Sequence, residues 1–299
     1  MTKKPTIAVI GAGKWGQALH FALSQKQETF ITSRTPRDLK NFTDLQTALN
    51  CDYLIIAIPA QQLKSWLKEN FVFKNQKVLV ASKGIEATTG EFLNEIYADY
   101  VPKKNIGFIS GPSFAAEVIQ GLPCALVLNS TSKKLYKEFE SFFPSFIKTY
   151  YSSDVIGAEI AGAYKNVLAI ASGICEGLHL GKNAQASLIS RGLVEMQRFG
   201  KNFGAKKSSF IGLSGAGDLF LTASSPMSRN YRVGLSLAKN KKLDEILEEL
   251  GEVAEGVKTS EAIYNLSKEY DIYTPIANEV KHILDGKSPQ DSLKDLLNS

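Results

Sequence analysis

The sequence "TIAVIGAGKWGQALHFAL", residues 6–23, decides the fold of the first half of the chain. It joins a short apolar run to Gly11, Gly13 and Gly16, and an apolar helical pattern follows. In such a unit the first glycine permits a tight turn, the second lets the backbone approach a pyrophosphate, and the third lets the helix pack on the strand. The helix N-terminus then faces the phosphates. GxGxxG alone also occurs in ordinary turns, but this context predicts dinucleotide binding.

Short apolar runs continue this pattern to about residue 150. They are rich in β-branched residues, and amphipathic helical patterns separate them. Nearly continuous apolarity indicates strands that are buried on both faces, as in a parallel sheet covered by helices. The predicted strands lie in residues 6–13, 28–34, 52–59, 77–84, 105–112 and 124–130. We therefore expect an α/β fold with an N-terminal doubly wound parallel sheet of the Rossmann type.

From Asp154 onward the pattern changes to long helical segments. Glycines or prolines mark the ends of several of them, as expected for helix termini. The predicted helices span about 155–178, 184–203, 229–240, 243–250, 258–269, 275–285 and 289–297. We expect a dinucleotide-binding domain at residues 1–153 and a mostly α-helical substrate domain at residues 154–299.

The composition is that of an average globular protein, with 44% hydrophobic and 22% charged residues. The net charge of +5 arises from lysines that are scattered or paired with acids, so no nucleic-acid surface is expected. Three isolated histidines and three distant cysteines indicate no metal site and a reducing environment. Neither a signal peptide nor a membrane span of about 20 apolar residues is evident, which favours a cytoplasmic protein.

The second predicted strand ends in "TSRT", residues 32–35. A site selective for NAD usually has an acidic residue at this position, where it binds the ribose hydroxyl. Arg34 would instead suit a 2′-phosphate or stack on adenine, which favours NADPH. The alternative is an exposed arginine at a strand end. The cofactor preference stays open between NADPH and both dinucleotides.

Polar residues follow two further predicted strands, in "ASKGIEATTG" (81–90) and "ISGPSFAAEV" (109–118). Lys83 and the turn at Gly111 and Ser113 fall beyond the carboxyl ends of their strands, where open α/β sheets bind ligands. The alternatives are a solvated lysine and a structural turn.

A third polar segment, "SPMSRNYRVG" (225–234), opens a predicted helix. Helix-start amides with the side chains of Ser228, Arg229 and Asn230 suit a phosphate. The alternative is that Ser228 serves only as the N-cap.

A lysine interrupts the apolar segment "EIAGAYKNVLAIASGI", residues 159–174. On a helix, mostly small residues share the face of Lys165, and burial of an unpaired ammonium there is costly. A lysine in a dry cleft can have its pKa lowered enough to exchange a proton at neutral pH. The alternative is an exposed face or a structural ion pair with Glu159 or Asp218.

These segments together resemble the bacterial-type NAD(P)-dependent sn-glycerol-3-phosphate dehydrogenase family. The resemblance runs from residue 6 to about residue 285, and "GPSFA" followed by "AGAYKN" is its most specific part. It rests on "GAGKWG", "SKG", "GPSFAAEV", "EIAGAYKNVLAIASGI", "GLSGAGDLFLT", "SRNYRVG" and "VAEGVKT", in that order. Lys14 and Ser33 depart from the family's usual small residue and Ala, so the cofactor preference is less firmly implied than the chemistry.

The resemblance implies a set of functional residues. Lys165 is similar to the family's proton-transfer lysine. The implied substrate contacts are Lys83, Gly111, Ser113, Lys165, Asp218, Ser228, Arg229 and Asn230. The implied cofactor contacts are Gly11, Gly13, Lys14, Trp15, Gly16, Arg34, Lys83, Ala115, Arg229, Val253 and Glu255.

The reaction that the resemblance implies interconverts sn-glycerol 3-phosphate and dihydroxyacetone phosphate, with NADPH, NADH or both. It would supply glycerol 3-phosphate for phospholipid synthesis, and its partner is a phosphorylated triose; homodimerisation is left open. One alternative is a related reductase of a β-hydroxyacid or ketopantoate, which also uses a lysine on a helix. The other is a dinucleotide-binding sensor without turnover, which would leave Lys83, Lys165 and Asp218 without a role.

Overall fold

The computed structural model describes residues 5–251 and 254–298. The chain forms two compact units. Unit 1 comprises the chain up to Ser82 together with Asn94–Val155, and unit 2 comprises Lys83–Leu93 together with the chain from Ile156 onward. Each unit has its own hydrophobic core.

Unit 1 is built around a seven-stranded sheet. Its strands are β1 (Ile7–Ile10), β2 (Thr29–Thr32), β3 (Tyr53–Ile56), β4 (Lys77–Val80), β5 (Ile106–Ser110), β6 (Cys124–Asn129) and β7 (Ile147–Ser152). The first helices of the chain are α1 (Lys14–Ser24), α2 (Leu45–Leu49), α3 (Ala60–Asn70), α4 (Leu93–Ala98), α5 (Ala115–Ile119) and α6 (Lys133–Glu140), with a 3₁₀ turn at Lys103–Asn105. The strand order is β2-β1-β3-β4-β5-β6-β7.

The sheet confirms the six predicted strands and corrects their arrangement in two respects. First, β6 runs antiparallel to β5, whereas the other neighbouring strands are parallel. The connection between them holds only the five-residue α5, whose length of about 7.5 Å is too short to return the chain across the sheet. Second, β7 was not predicted, because alternate residues of this edge strand are exposed and it has no continuous apolar run.

Unit 2 is helical. Its helices are α7 (Val155–Gly177), α8 (Gly181–Asn202), α9 (Lys207–Ile211), α10 (Asp218–Ala223), α11 (Arg229–Leu237), α12 (Leu243–Leu250), α13 (Glu255–Glu269), α14 (Pro275–Leu284) and α15 (Pro289–Asn298). A π-helix, Leu213–Gly217, lies between α9 and α10. The seven predicted helices are present. The short α9, the π-helix and α10 were missed, because segments of five or six residues carry little periodicity.

The central element of unit 2 is α7, which is buried on all sides from Gly157 to Cys175. Its composition follows from this burial, since a helix that is apolar all round lies inside a core. It crosses α11 at backbone contact: a Cβ on Gly173 would lie 2.1 Å from Tyr231 O, and one on Gly234 would lie 2.1 Å from Ile170 O. This close approach holds α11 against the C-terminal third of α7, at Ile170 and Gly173. Among the described residues, no helix is long and apolar enough to cross a bilayer.

Candidate active site

The glycine loop of unit 1 has the geometry of a pyrophosphate cradle. Gly11 has φ of +108°, and its N–H donates to Thr32 O at 2.8 Å. A Cβ on Gly16 would lie 1.8 Å from Gly11 O, so only glycine lets α1 start this close to β1. A Cβ on Gly13, in contrast, would meet nothing within 4 Å. This open space at the start of α1 fits a dinucleotide phosphate.

The other cofactor residues predicted in unit 1 lie at the same end of the sheet. Lys14 and Trp15 form the first turn of α1, and Trp15 Nε1 is buried without a hydrogen-bond partner in residues 5–251 and 254–298. An unpaired buried donor at this position fits a cofactor oxygen. Arg34 is exposed two residues beyond β2, and Ala115 is the first residue of α5.

The predicted turn after β5 also lies at the carboxyl edge of the parallel strands. Gly111 has φ of +108°, and a Cβ there would lie 2.9 Å from Ala125 O. Ser113 Oγ donates to Gly111 O at 3.3 Å. This turn follows β5 in the same way that the glycine loop follows β1. It therefore lies at the edge of the sheet where such folds bind ligands.

Unit 2 contains a cluster of two lysines around one carboxylate. Lys165 Nζ donates to Asp218 Oδ1 at 2.8 Å, and Lys83 Nζ donates to Asp218 Oδ2 at 2.7 Å. Lys165 Nζ also donates to Thr222 Oγ1 at 2.9 Å. Lys165 is only 7% exposed and Asp218 only 2%, so the alternative of an exposed lysine face is wrong, whereas the ion pair with Asp218 exists.

The surrounding backbone explains how these side chains come together. The stem of Lys83 crosses Gly162, one turn before Lys165 on α7, where a Cβ would lie 3.6 Å from Lys83 Cδ. Asp218 begins α10 directly after the π-helix, which contains the Gly-Ala-Gly sequence. Ser172 Oγ of α7 donates to Ala223 O at 2.6 Å and so binds the end of α10.

Burial and neighbouring charges act in opposite directions on the ionisable groups of this cluster. Burial lowers the pKa of Lys165 from 10.5 to about 8; Asp218 opposes the shift and the nearby Lys83 adds to it. Burial would raise the pKa of Asp218, but Lys165 and Lys83 outweigh burial and keep that pKa below its usual value. Asp218 accepts hydrogen bonds from two ammonium groups, and the carboxylate of Glu255 also attracts the Lys165 ammonium. The arrangement suits an oxygen that gains negative charge.

The predicted anion site lies at the start of α11. Ser228 caps the helix, because its Oγ accepts a hydrogen bond from Tyr231 N at 3.3 Å. Arg229 is half-buried and Asn230 is buried, with Asn230 Oδ1 accepting from Gly256 N at 3.0 Å. Glu255 is the first residue of α13, and Val253 lies outside the described residues.

Sequence reasoning missed two residues of unit 2. Thr222 touches both Lys165 and Asp218, with its Oγ1 3.3 Å from Asp218 Oδ1. The i, i+4 spacing in "DLFLT" could have indicated it, since such residues share a helix face. Gly256 binds Asn230, but no local pattern points to this contact across 26 residues.

A Rossmann-type glycine loop and a buried lysine with a lowered pKa define a dinucleotide-dependent dehydrogenase. Comparison with known proteins agrees. The family models for the N-terminal and C-terminal parts of NAD-dependent glycerol-3-phosphate dehydrogenase match residues 29–136 and 154–294. The chain belongs to the NAD-dependent glycerol-3-phosphate dehydrogenase family.

Individual relatives match over almost the full length. The glycerol-3-phosphate dehydrogenase [NAD(P)+] of Sulfurimonas denitrificans is 66% identical, covering 98% of this chain and 99% of that protein. The enzyme of the same name from Campylobacter jejuni is 62% identical, covering 97% and 98%. The crystal structure of glycerol-3-phosphate dehydrogenase from Coxiella burnetii is 31% identical with a TM-score of 0.90, covering 99% of each chain. The chain therefore shares the fold and the family of these proteins over almost its whole length.

Proposed function

We propose that this protein interconverts sn-glycerol 3-phosphate and dihydroxyacetone phosphate, with Lys165 carrying the proton. The observation that supports this most directly is the buried Lys165 ammonium, bound to Asp218 and with its pKa lowered to about 8. The cofactor, which the glycine loop at Gly11, Gly13 and Gly16 would hold, would supply the hydride chemistry of this reaction. In oxidation neutral Lys165 takes the proton of the C2 hydroxyl, and in reduction its ammonium returns that proton to the C2 oxygen.

Asp218 and Lys83 assist the proton transfer between Lys165 and the substrate. Asp218 orients Lys165 and keeps its ammonium next to the reacting oxygen, while Thr222 fixes the same ammonium from a second side. Lys83 adds positive charge that stabilises the developing alkoxide in reduction. Gly111 and Ser113 complete the proposed substrate contacts through the turn after β5.

The substrate phosphate binds at the first turn of α11. Arg229 supplies a guanidinium that can bind two phosphate oxygens, and Asn230 and Ser228 supply neutral groups. Helix-start amides favour an anion at this position. Arg229 is also a proposed contact of the cofactor.

The cofactor binds along the carboxyl edge of the sheet in unit 1. Gly11, Gly13 and Gly16 shape the pyrophosphate cradle, and the first turn of α1 faces it. The further cofactor contacts are Lys14, Trp15, Arg34, Lys83, Ala115, Arg229, Val253 and Glu255. Arg34 suits NADPH as well as NADH, because a guanidinium can bind the 2′-phosphate or stack on adenine, and the preference between the two stays open.

The product of reduction, glycerol 3-phosphate, is a precursor for phospholipids, and we place this activity in the cytoplasm. Homodimerisation stays open, and size-exclusion chromatography with light scattering tests it: a mass of one 32.7 kDa chain would exclude the dimer.

An absorbance assay tests the proposed reaction. Purified protein should oxidise NADPH when dihydroxyacetone phosphate is added, and should do so more slowly with ketopantoate or a β-ketoacid. Turnover of ketopantoate alone would assign the protein to that class of reductase. Cofactor binding with no turnover of any phosphorylated triose would support a sensor.

The phosphate assignment predicts a selective effect of Arg229→Ala. The variant should raise KM for dihydroxyacetone phosphate by about 10-fold to 100-fold, the effect of losing a charged hydrogen bond. KM for unphosphorylated dihydroxyacetone should change little. An equal effect on both substrates would remove Arg229 from the phosphate site.

A further inference from the structure

A buried glycine lies where three helices of unit 2 come together. Gly256 is the second residue of α13, next to the predicted cofactor residue Glu255. A Cβ on Gly256 would lie 2.7 Å from Asn230 Oδ1 and 2.8 Å from Asn166 O. Asn166 follows Lys165 on α7, and Asn230 belongs to the first turn of α11. Any side chain at this position would therefore displace part of the proposed site.

The backbone N–H of Gly256 also determines the orientation of the Asn230 amide. The N–H lies 3.0 Å from the end of the Asn230 side chain. Because an N–H can only donate, the atom facing it must be the carbonyl oxygen Oδ1 and cannot be the amino group. Asn230 Nδ2 is therefore turned to the other side. Asn230 is only 7% exposed, so its amino group is held at a mostly buried position in the first turn of α11.

We propose that Gly256 is a positioning residue, which turns the Asn230 amide so that it offers the substrate a hydrogen-bond donor. This inference rests on the proposed function, in which Asn230 binds the phosphorylated triose. An amide that presents NH₂ favours phosphate and alkoxide oxygens, whereas one that presents its carbonyl would repel them. Gly256 thus contributes to selectivity for an anionic substrate without touching it.

The first test is the pair of variants Gly256→Ala and Gly177→Ala. In Gly256→Ala the new methyl group displaces the amide, so KM for dihydroxyacetone phosphate should rise by about 10-fold to 100-fold. KM for NADPH should change by less than about twofold. Gly177→Ala is the matched control, because its Cβ would lie 2.5 Å from Ala238 Cβ, where the C-terminal ends of α7 and α11 meet and away from the first turn of α11. It should lower stability and leave KM unchanged, and an equal rise of KM in both variants would overturn the proposal.

A double-mutant cycle distinguishes positioning from general disruption. If Gly256 acts through Asn230, then Gly256→Ala should have little further effect on KM in an Asn230→Ala background. Additive effects would show that Gly256 acts by another route and would overturn the proposal.

Asn230→Asp tests the orientation even if Gly256→Ala does not fold. The carboxylate keeps an acceptor for Gly256 N–H but replaces the donor with an oxygen, so KM for dihydroxyacetone phosphate should rise by at least about 10-fold. A change of less than about twofold would mean that Nδ2 does not face the substrate. Wild-type protein is assayed first: if it fails to reduce dihydroxyacetone phosphate, then the proposed function is wrong, whatever the variants show.

Discussion

At the scale of single residues, Lys165 and Lys83 share one carboxylate but differ in their surroundings. Lys165 has a side chain that is 9% exposed, whereas that of Lys83 is 19% exposed. Burial disfavours the charged form of a lysine, and here it outweighs the attraction of Asp218. Lys165 is thus the member of the pair that is suited to exchange a proton near neutral pH.

Replacing Lys165 should remove the proton carrier without affecting cofactor binding. We expect Lys165→Ala to lower kcat by about two to four orders of magnitude, the usual contribution of a general acid–base group. NADPH binding, followed by fluorescence, should persist. Lys201→Ala is the control, because Lys201 is exposed near the end of α8. Turnover of Lys165→Ala within about threefold of wild type would rule out the role.

The lowered pKa predicts opposite pH profiles for the two directions. Oxidation needs neutral Lys165, so its kcat/KM should rise as the pH increases through about 8. Reduction needs the ammonium, so its kcat/KM should fall over the same interval. Steady-state assays from pH 6 to 10 in both directions measure this. Profiles that rise together, or that show no inflection near this pH, would contradict Lys165 as the proton carrier.

At the scale of elements, helix ends supply and fix the functional groups of unit 2. The π-helix ends at Gly217, directly before Asp218, and α11 and α13 bring Asn230 and Gly256 into contact at their first turns. A π-helix within a helical region is uncommon and often marks a functional site. The N-terminus of α14 is fixed differently, by hydrogen bonds to the buried Glu195 of α8.

Glu195 should be important for stability. Its carboxylate accepts hydrogen bonds from Ile276 N and Ala277 N, both at 2.9 Å, and from Tyr164 Oη at 2.8 Å. Burial raises the pKa of Glu195 although these bonds oppose the shift. Glu195→Ala leaves three buried donors unpaired and should lower the free energy of unfolding by about 3 kcal/mol. Urea denaturation measures this, with the exposed Glu248→Ala as the control; a loss no larger than that of the control would contradict it.

At the scale of the whole molecule, the two units have separate candidate functions. Unit 1 carries the glycine loop and its open space beside Gly13, and unit 2 carries Lys83, Lys165 and Asp218. The cofactor contribution of unit 1 can therefore be removed while the lysine cluster is left intact.

Gly13→Ala should separate folding from cofactor binding. Gly13 has φ of −70° and ψ of 176°, which alanine adopts readily, and its Cβ would meet no protein atom within 4 Å. The unliganded variant should unfold at the wild-type temperature. NADPH at 100 times its Kd should stabilise wild type and Lys165→Ala by about 2.7 kcal/mol, but the same concentration should not stabilise Gly13→Ala. Thermal denaturation with and without NADPH measures both effects, and full stabilisation of Gly13→Ala would contradict the cradle.

Much of the architecture could be predicted, because its signals are local. Six strands and seven helices follow from apolar runs and periodicity within windows of about 5 to 20 residues. The direction of β6 and the existence of β7 were not predicted, since they depend on the length of α5 and on a position at the sheet edge. The roles of individual site residues were inferred from their positions and from the family resemblance, and they stay predictions.

The sequence by itself determined the glycine loop, the strands that follow from it, and the lysine within an apolar helix. Only the tertiary structure decided what surrounds that lysine, because Asp218 lies 53 residues from Lys165 and 135 residues from Lys83. Local patterns arise from backbone preferences and from the periodic burial of side chains. Contacts between distant residues depend instead on how whole helices pack, and no short segment of the sequence encodes that packing.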